Sequence, residues 1–164
     1  MILVDTSVWI DYFNAYASRE ADFLTLCIAQ SRPIVLPGLV LTETLQGVRE
    51  AASAARVAGV LSAFELTPEL ERSDYERAAA IYRTCRARGS TPRSAIDCLI
   101  AQLCLRYGYE LLTHDRDFEG IARCFPLKRV SPDPGVQELA AAYPVSGTVL
   151  SRRRASAPRR SSRA

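Results

Sequence analysis

Ile2-Leu3-Val4-Asp5-Thr6-Ser7-Val8-Trp9-Ile10 changes character twice within a few residues. Ile2-Leu3-Val4 is too short and too uniformly apolar for a strand with one wet face. It suits a parallel strand buried on both faces. Asp5 breaks the apolar run, and Thr6 or Ser7 offers a hydroxyl that can cap a helix through residues 8–13. A buried strand feeding a helix, with a carboxylate at the joint, is the opening unit of an α/β sheet.

The alternation continues downstream. A helix is expected over residues 18–30, with Phe23, Leu26 and Cys27 on one face. Residues 33–37 form a short strand bracketed by prolines. Residues 38–51 read as a helix, with Leu41, Leu45 and Val48 at helical spacing, and another follows over 55–63. Residues 64–67 make a weak third strand. A long helix over 71–88 ends at Gly89, in a C-cap position. Thr91-Pro92 reads as the start of the next helix, whose stripe of Ile96, Leu99, Ile100, Leu103 and Cys104 stops at Gly108. Residues 109–113 give a fourth strand and 126–130 a fifth. The class is α/β, with a mostly parallel sheet and helices on both faces.

Four acids stand at the borders of apolar segments. Asp5 follows Ile2-Leu3-Val4, and Glu43 follows Gly38-Leu39-Val40-Leu41-Thr42. Asp97 lies within Ser94-Ala95-Ile96-Asp97-Cys98-Leu99-Ile100-Ala101, and Asp115 closes Leu111-Leu112-Thr113-His114. Ligands of open parallel sheets bind beyond the carboxyl ends of the strands. If strands one, two and four are neighbours, all four carboxylates can face one crevice. Like charges held that close must protonate or find a cation. Oxygen-only ligands select Mg²⁺ or Mn²⁺ over zinc or copper, and such an ion suits a phosphodiester substrate and an activated water. Singly, each acid has a plainer reading. Asp5 and Asp115 can be helix caps, and Glu43 a surface residue. Asp97 borders a buried stripe with no neighbouring base, and their joint placement carries the argument.

At 164 residues the default is one domain. From Ser131 the texture changes, and Pro132-Asp133-Pro134-Gly135 breaks the pattern. Residues 131–150 read as an extension with one short helix near 136–143. Residues 151–164 contain only Arg, Ser, Ala and Pro and are expected to be disordered. The net charge of +3 belongs to that tail, which holds six Arg and no acid. Taking 6 from 21 basic residues leaves 15 against 18 acids, so the body is net negative. Five cysteines without a CxxC pair, and a single His, exclude a zinc site and suggest reduced core thiols in the cytoplasm. No stretch is long enough to span a membrane, and the N-terminus lacks a signal-peptide pattern. GxxxxGK[ST] and GxGxxG are absent, and one His supports no serine triad.

The chain resembles PIN-domain ribonucleases, specifically the VapC-type toxins of bacterial toxin–antitoxin pairs. The resemblance rests on the segments 2–10, 42–48, 95–101 and 111–118, in that order and spacing. It implies a three-layer PIN-like fold over residues 1–130, with a five-stranded sheet in order 3-2-1-4-5. It implies Mg²⁺- or Mn²⁺-dependent endonucleolytic cleavage of RNA, a homodimer, and a small cognate antitoxin that occupies the cleft. Carried over by position, the catalytic and metal-binding residues are Asp5, Glu43, Asp97 and Asp115, with Asp5 and Asp97 foremost. Asp117 is secondary, acting through water or capping the next helix. Thr6, Ser7 and Thr113 orient carboxylates or the scissile phosphate, or serve as ordinary caps.

The chain departs from the family pattern after Val130. Its Arg-rich tail could bind an RNA backbone or be a solvated end. Arg49, Arg93, Arg116, Lys128 and Arg129 either guide RNA or decorate a solvated face. His114 has no evident partner. Two other readings stay open. One is a PIN-like module that binds RNA or protein without cutting. The other is a phosphotransfer domain, although Asp5-Thr6-Ser7 lacks the second acid of DxDxT and the sole lysine, Lys128, fits a receiver poorly.

Overall fold

The computed structural model describes residues 1–143. The expectation for residues 151–164, and the end of the expected extension, lie outside the described residues. Strands β1 (Ile2–Val4), β2 (Ile34–Leu36), β3 (Glu65–Leu66) and β4 (Glu110–Leu112) form one parallel sheet in order β3-β2-β1-β4. Ile2 lies opposite Ile34 on one side and Glu110 on the other, and Leu3 opposite Val35 and Leu111. Every residue of β1 and β2 is buried, as expected when helices cover both faces of a parallel sheet.

The expected fifth strand shrinks to one parallel bridge between Leu111 and Arg129. Leu111 N–H donates to the Lys128 carbonyl and Val130 N–H to the Leu111 carbonyl, both at 2.9 Å. The segment still lies outside β4, so the order 3-2-1-4-5 holds in position. Pro126 has no N–H to offer a ladder. Leu127 spends its own N–H on the Phe125 carbonyl, so pairing cannot begin earlier.

Helices α1 (Thr6–Asn14), α2 (Arg19–Ala29), α3 (Gly38–Gln46) and α4 (Ala51–Leu61) link the first three strands. Helices α5 (Arg72–Ala87) and α6 (Ala95–Tyr107) lead into β4, and α7 (Asp117–Cys124) and α8 (Val136–Ala140) follow it. Four boundaries differ from expectation. The cap of α1 is Asp5, one residue earlier than the hydroxyls, because its carboxylate reaches the Ser7 N–H. Helix α3 stops at Gln46 and α4 starts already at Ala51. Helix α6 is capped by Ser94, whose Oγ accepts from Ile96 N–H at 3.0 Å, and not by Thr91-Pro92. The proline instead disfavours helix at Thr91, inside the connection.

Helices α5 and α6 pack side by side and are joined by a buried polar knot. Asp74 accepts from Gln102 at 3.1 Å, Arg106 at 2.5 Å and the Glu71 N–H at 3.0 Å. On the other side, Trp9 stacks on Phe13 and meets Phe64 edge-on. Helix α8 rests on α2 through Val136, Ala140, Leu26 and Phe23. All five cysteines are free and four are buried. Burial pushes the Cys104 thiol up to about 12. Among the described residues no helix is long and apolar enough to cross a membrane.

Candidate active site

The site assembles where β1 and β4 end. Asp5 N–H donates to the Leu112 carbonyl at 3.0 Å, extending the β1–β4 ladder by one step. This fixes the residue at the strand end and turns its side chain toward the start of α1. Asp5 is buried, and one oxygen, Oδ2, accepts three hydrogen bonds. They come from Ser7 Oγ at 2.5 Å, Ser7 N–H at 3.3 Å and Thr113 Oγ1 at 2.9 Å. Thr113 Oγ1 in turn accepts from the Asp115 N–H at 3.0 Å, and Asp115 Oδ1 accepts from the Asp117 N–H at 2.9 Å. One relay of hydrogen bonds therefore ties Asp5 to Asp115 and Asp117. Thr6 Oγ1 donates to Glu43 Oε2 at 2.7 Å and joins α1 to α3.

Asp97 enters from α6, in its first turn. No described residue donates a hydrogen bond to its half-buried carboxyl. Burial, followed by the charges of Asp115, Asp5, Asp117 and Glu43 in that order, pushes it up to about 7. Asp5, Glu43 and Asp115, together with Asp117, thus all lie close enough for their charge to reach Asp97. The hydroxyls of Thr6, Ser7 and Thr113 all bond to acids of this group. Capping and orientation are the same contact in the case of Ser7, since Asp5 is both helix cap and site carboxylate.

Two partners were not legible in the sequence. Arg93, expected on a solvated face, lies across Asp115 and Asp117. Its Nη2 donates to Asp115 at 2.9 and 3.2 Å, and its Nε to both oxygens of Asp117 at 3.0 Å. Its N–H also reaches Asp117 at 2.7 Å. The available signal was its place four residues before Asp97, at the entry to the same helix. His114 does have a partner: Nε2 lies 3.1 Å from Asp11 Oδ2 on α1. Arg116 lines the cleft, while Arg129 turns to Glu119 at 3.8 Å. Arg49 and Lys128 do not line it.

The cleft is open, about 480 Å³, and lined by Ser7, Arg93, His114, Asp115, Arg116 and Asp117. A more apolar groove of about 430 Å³ runs between α5 and α6, past Tyr75, Tyr82 and Leu99, and carries no comparable chemistry. Among the described residues no three acid, Cys or His side chains converge into a ready-made metal cage. Mg²⁺ in any case binds through one or two carboxylates and keeps several waters. An all-oxygen donor set around the unsatisfied Asp97 charge fits such a hard cation.

The family model of the PIN domain matches residues 2–123. The chain belongs to the PIN-domain family. Within that family it is of the VapC type. It is 33% identical over 132 residues to "VapC ribonuclease Mb1587" of Mycobacterium bovis, covering 80% of this chain and 98% of that one. Identity and coverage are the same for "Ribonuclease VapC11" of Mycobacterium tuberculosis. Among solved structures, FitAcB from Neisseria gonorrhoeae is similar in fold at a TM-score of 0.52 and 16% identity, covering 80% of this chain and 98% of that one. PAE2754 from Pyrobaculum aerophilum is similar at 0.50 and 18% identity, covering 87% and 93%. The PIN fold accounts for the sheet order, with β1 in the middle and the acids gathered at its carboxyl end.

Proposed function

We propose that this PIN-domain protein is a Mg²⁺- or Mn²⁺-dependent endoribonuclease, the toxin component of a toxin–antitoxin pair. The observation that carries the reading is the relay Asp5–Thr113–Asp115, which joins the ends of β1 and β4 opposite Glu43 and Asp97. Kinship with relatives named ribonucleases, matched along nearly their full length, supports the same activity. Asp5 and Asp97 would hold the ion, with Glu43 and Asp115 completing its surroundings. Bound there, the ion supplies Lewis-acid charge and an acidified water for attack on phosphorus. Ser7 and Thr113 hold Asp5 in one orientation, and Thr6 does the same for Glu43. Hydroxyls that lock the carboxylates reduce the rearrangement left for the moment of reaction.

We assign this activity to residues 1–130 and treat the chain beyond 131 as an extension. The partners of this reading are an RNA substrate, a small cognate antitoxin and a second copy of the chain. Five free thiols suit a reducing cytoplasm. A module that only bound RNA would gain nothing from a crowded acidic cleft, because the cleft repels phosphates unless a cation offsets it.

The test is cleavage of structured RNA with Mg²⁺ or Mn²⁺ by the wild type and Asp97→Asn. The variant should lose at least about a hundredfold in rate, the upper end of what outer-shell changes at metal sites cost. Equal rates would overturn the mechanism.

A further inference from the structure

The five acids are not equivalent, and Arg93 divides them. Both oxygens of Asp115 and both of Asp117 accept from its guanidinium, and its N–H adds a further bond to Asp117. Asp117 is mostly buried, whereas the Arg93 side chain is 72% exposed and reaches in from the rim. The other three acids keep oxygens free. Asp5 has all its hydrogen bonds on Oδ2, Glu43 has its one on Oε2, and Asp97 accepts none from described residues. The oxygens without protein donors therefore lie on the Asp5–Glu43–Asp97 side, while every oxygen of Asp115 and Asp117 accepts from Arg93.

We propose that Arg93 takes the place of a second divalent cation, so that the cleft accepts a single metal ion, on the Asp5–Glu43–Asp97 side. A two-ion site needs its ions about 3.5–4 Å apart, sharing carboxylates between them. Asp115 and Asp117 are the carboxylates available for a second ion, and one guanidinium already donates to all four of their oxygens. A second ion could enter only by displacing it. Arg93 carries a permanent charge, so this half of the cleft stays neutralised whatever the metal concentration. Arg93 also lines the open cleft. The inference rests on the metal-dependent reading above.

The experiment counts Mn²⁺ bound to the metal-stripped full chain, by calorimetry and by loss of the free-ion spin-resonance signal. The wild type should bind one ion. Arg93→Ala should bind two, and Arg93→Gln, which keeps hydrogen-bonding capacity without charge, should also bind two. Arg93→Lys should return to one. Asp97→Asn should weaken the wild-type ion at least tenfold. Two ions in the wild type, or one ion in both Arg93→Ala and Arg93→Gln, would overturn the role given to Arg93 and leave the nuclease reading intact. No bound ion in the wild type would overturn both.

Discussion

Asp97→Asn should stabilise the metal-free protein, and by an amount that grows with pH. The carboxyl of Asp97 is raised from an ordinary 3.8 to about 7, first by burial and then by its acidic neighbours. The folded state thus holds this proton more tightly than the unfolded chain does. Between those two values, rising pH strips the unfolded state first, and stability falls. Above about 7 the loss is complete. A shift of this size corresponds to about 4 kcal/mol undiscounted. The side chain is only half-buried, and screening by water and salt reduces this to about 1–2 kcal/mol. Asparagine has the shape without the charge and escapes the penalty. For a chain of this size the gain at pH 8.5 should be about 2–8 °C in Tm. At pH 4.5 clearly less of it should remain, since that pH lies just above the unfolded value of 3.8 and the folded carboxyl is still largely protonated. Circular-dichroism melts in EDTA at the two pH values read the difference directly. Excess Mn²⁺ at pH 8.5 should reverse the order, raising the wild type more than the variant. A gain of equal size at both pH values, or no gain at pH 8.5, would refute the claim that these acids crowd one another.

Two further predictions concern the frame that holds the site. Asp74 is buried, which pushes its carboxyl up, but hydrogen bonds from Glu71, Gln102 and Arg106, with the Arg106 charge, outweigh burial and hold it low. Asp74→Ala would strand the buried Gln102 amide and should cost about 3 kcal/mol at neutral pH by chemical denaturation. The cost should shrink as acid protonates Asp74 in the parent protein, and a loss that does not shrink would mean the carboxylate contributes only volume. Glycine replacements should split by backbone conformation. Gly108 ends α6 at φ +70° with nothing near an added Cβ, so Gly108→Ala should cost about 1 kcal/mol from strain alone. Gly59, inside α4 with equally open space, should gain about 0.5–1 kcal/mol as Ala. Gains or losses of the same sign at both positions would contradict this.

The buried parallel strands were readable because three consecutive apolar residues at 2–4 and 34–36 leave no wet face to choose. The stop at Gly108 was readable because a helix end in the left-handed region favours glycine. The start of α6 was misread because Thr91-Pro92 and Ser94 are both good local starts. The choice fell to Ser94, since the connection before it must cross to Asp117 and place Arg93 there. The fifth strand was overestimated for a related reason. Apolar content at 126–130 marks burial, but a ladder also needs free N–H groups, and Pro126 and Leu127 have none to give.

The sequence alone determined which segments must be buried, their alternating order, and which carboxylates stand at their borders, because each of these is a local relation between a side chain and its neighbours. Only the tertiary structure decided that β1 lies between β2 and β4, and so that the charges of Asp5, Glu43 and Asp115 all reach Asp97. It alone assigned Arg93 to Asp115 and Asp117 and His114 to Asp11. Those pairings join residues 24 and 22 positions apart in one case and across two elements in the other. Charge acts through space, and nothing in local composition records which distant group packing will bring within its reach.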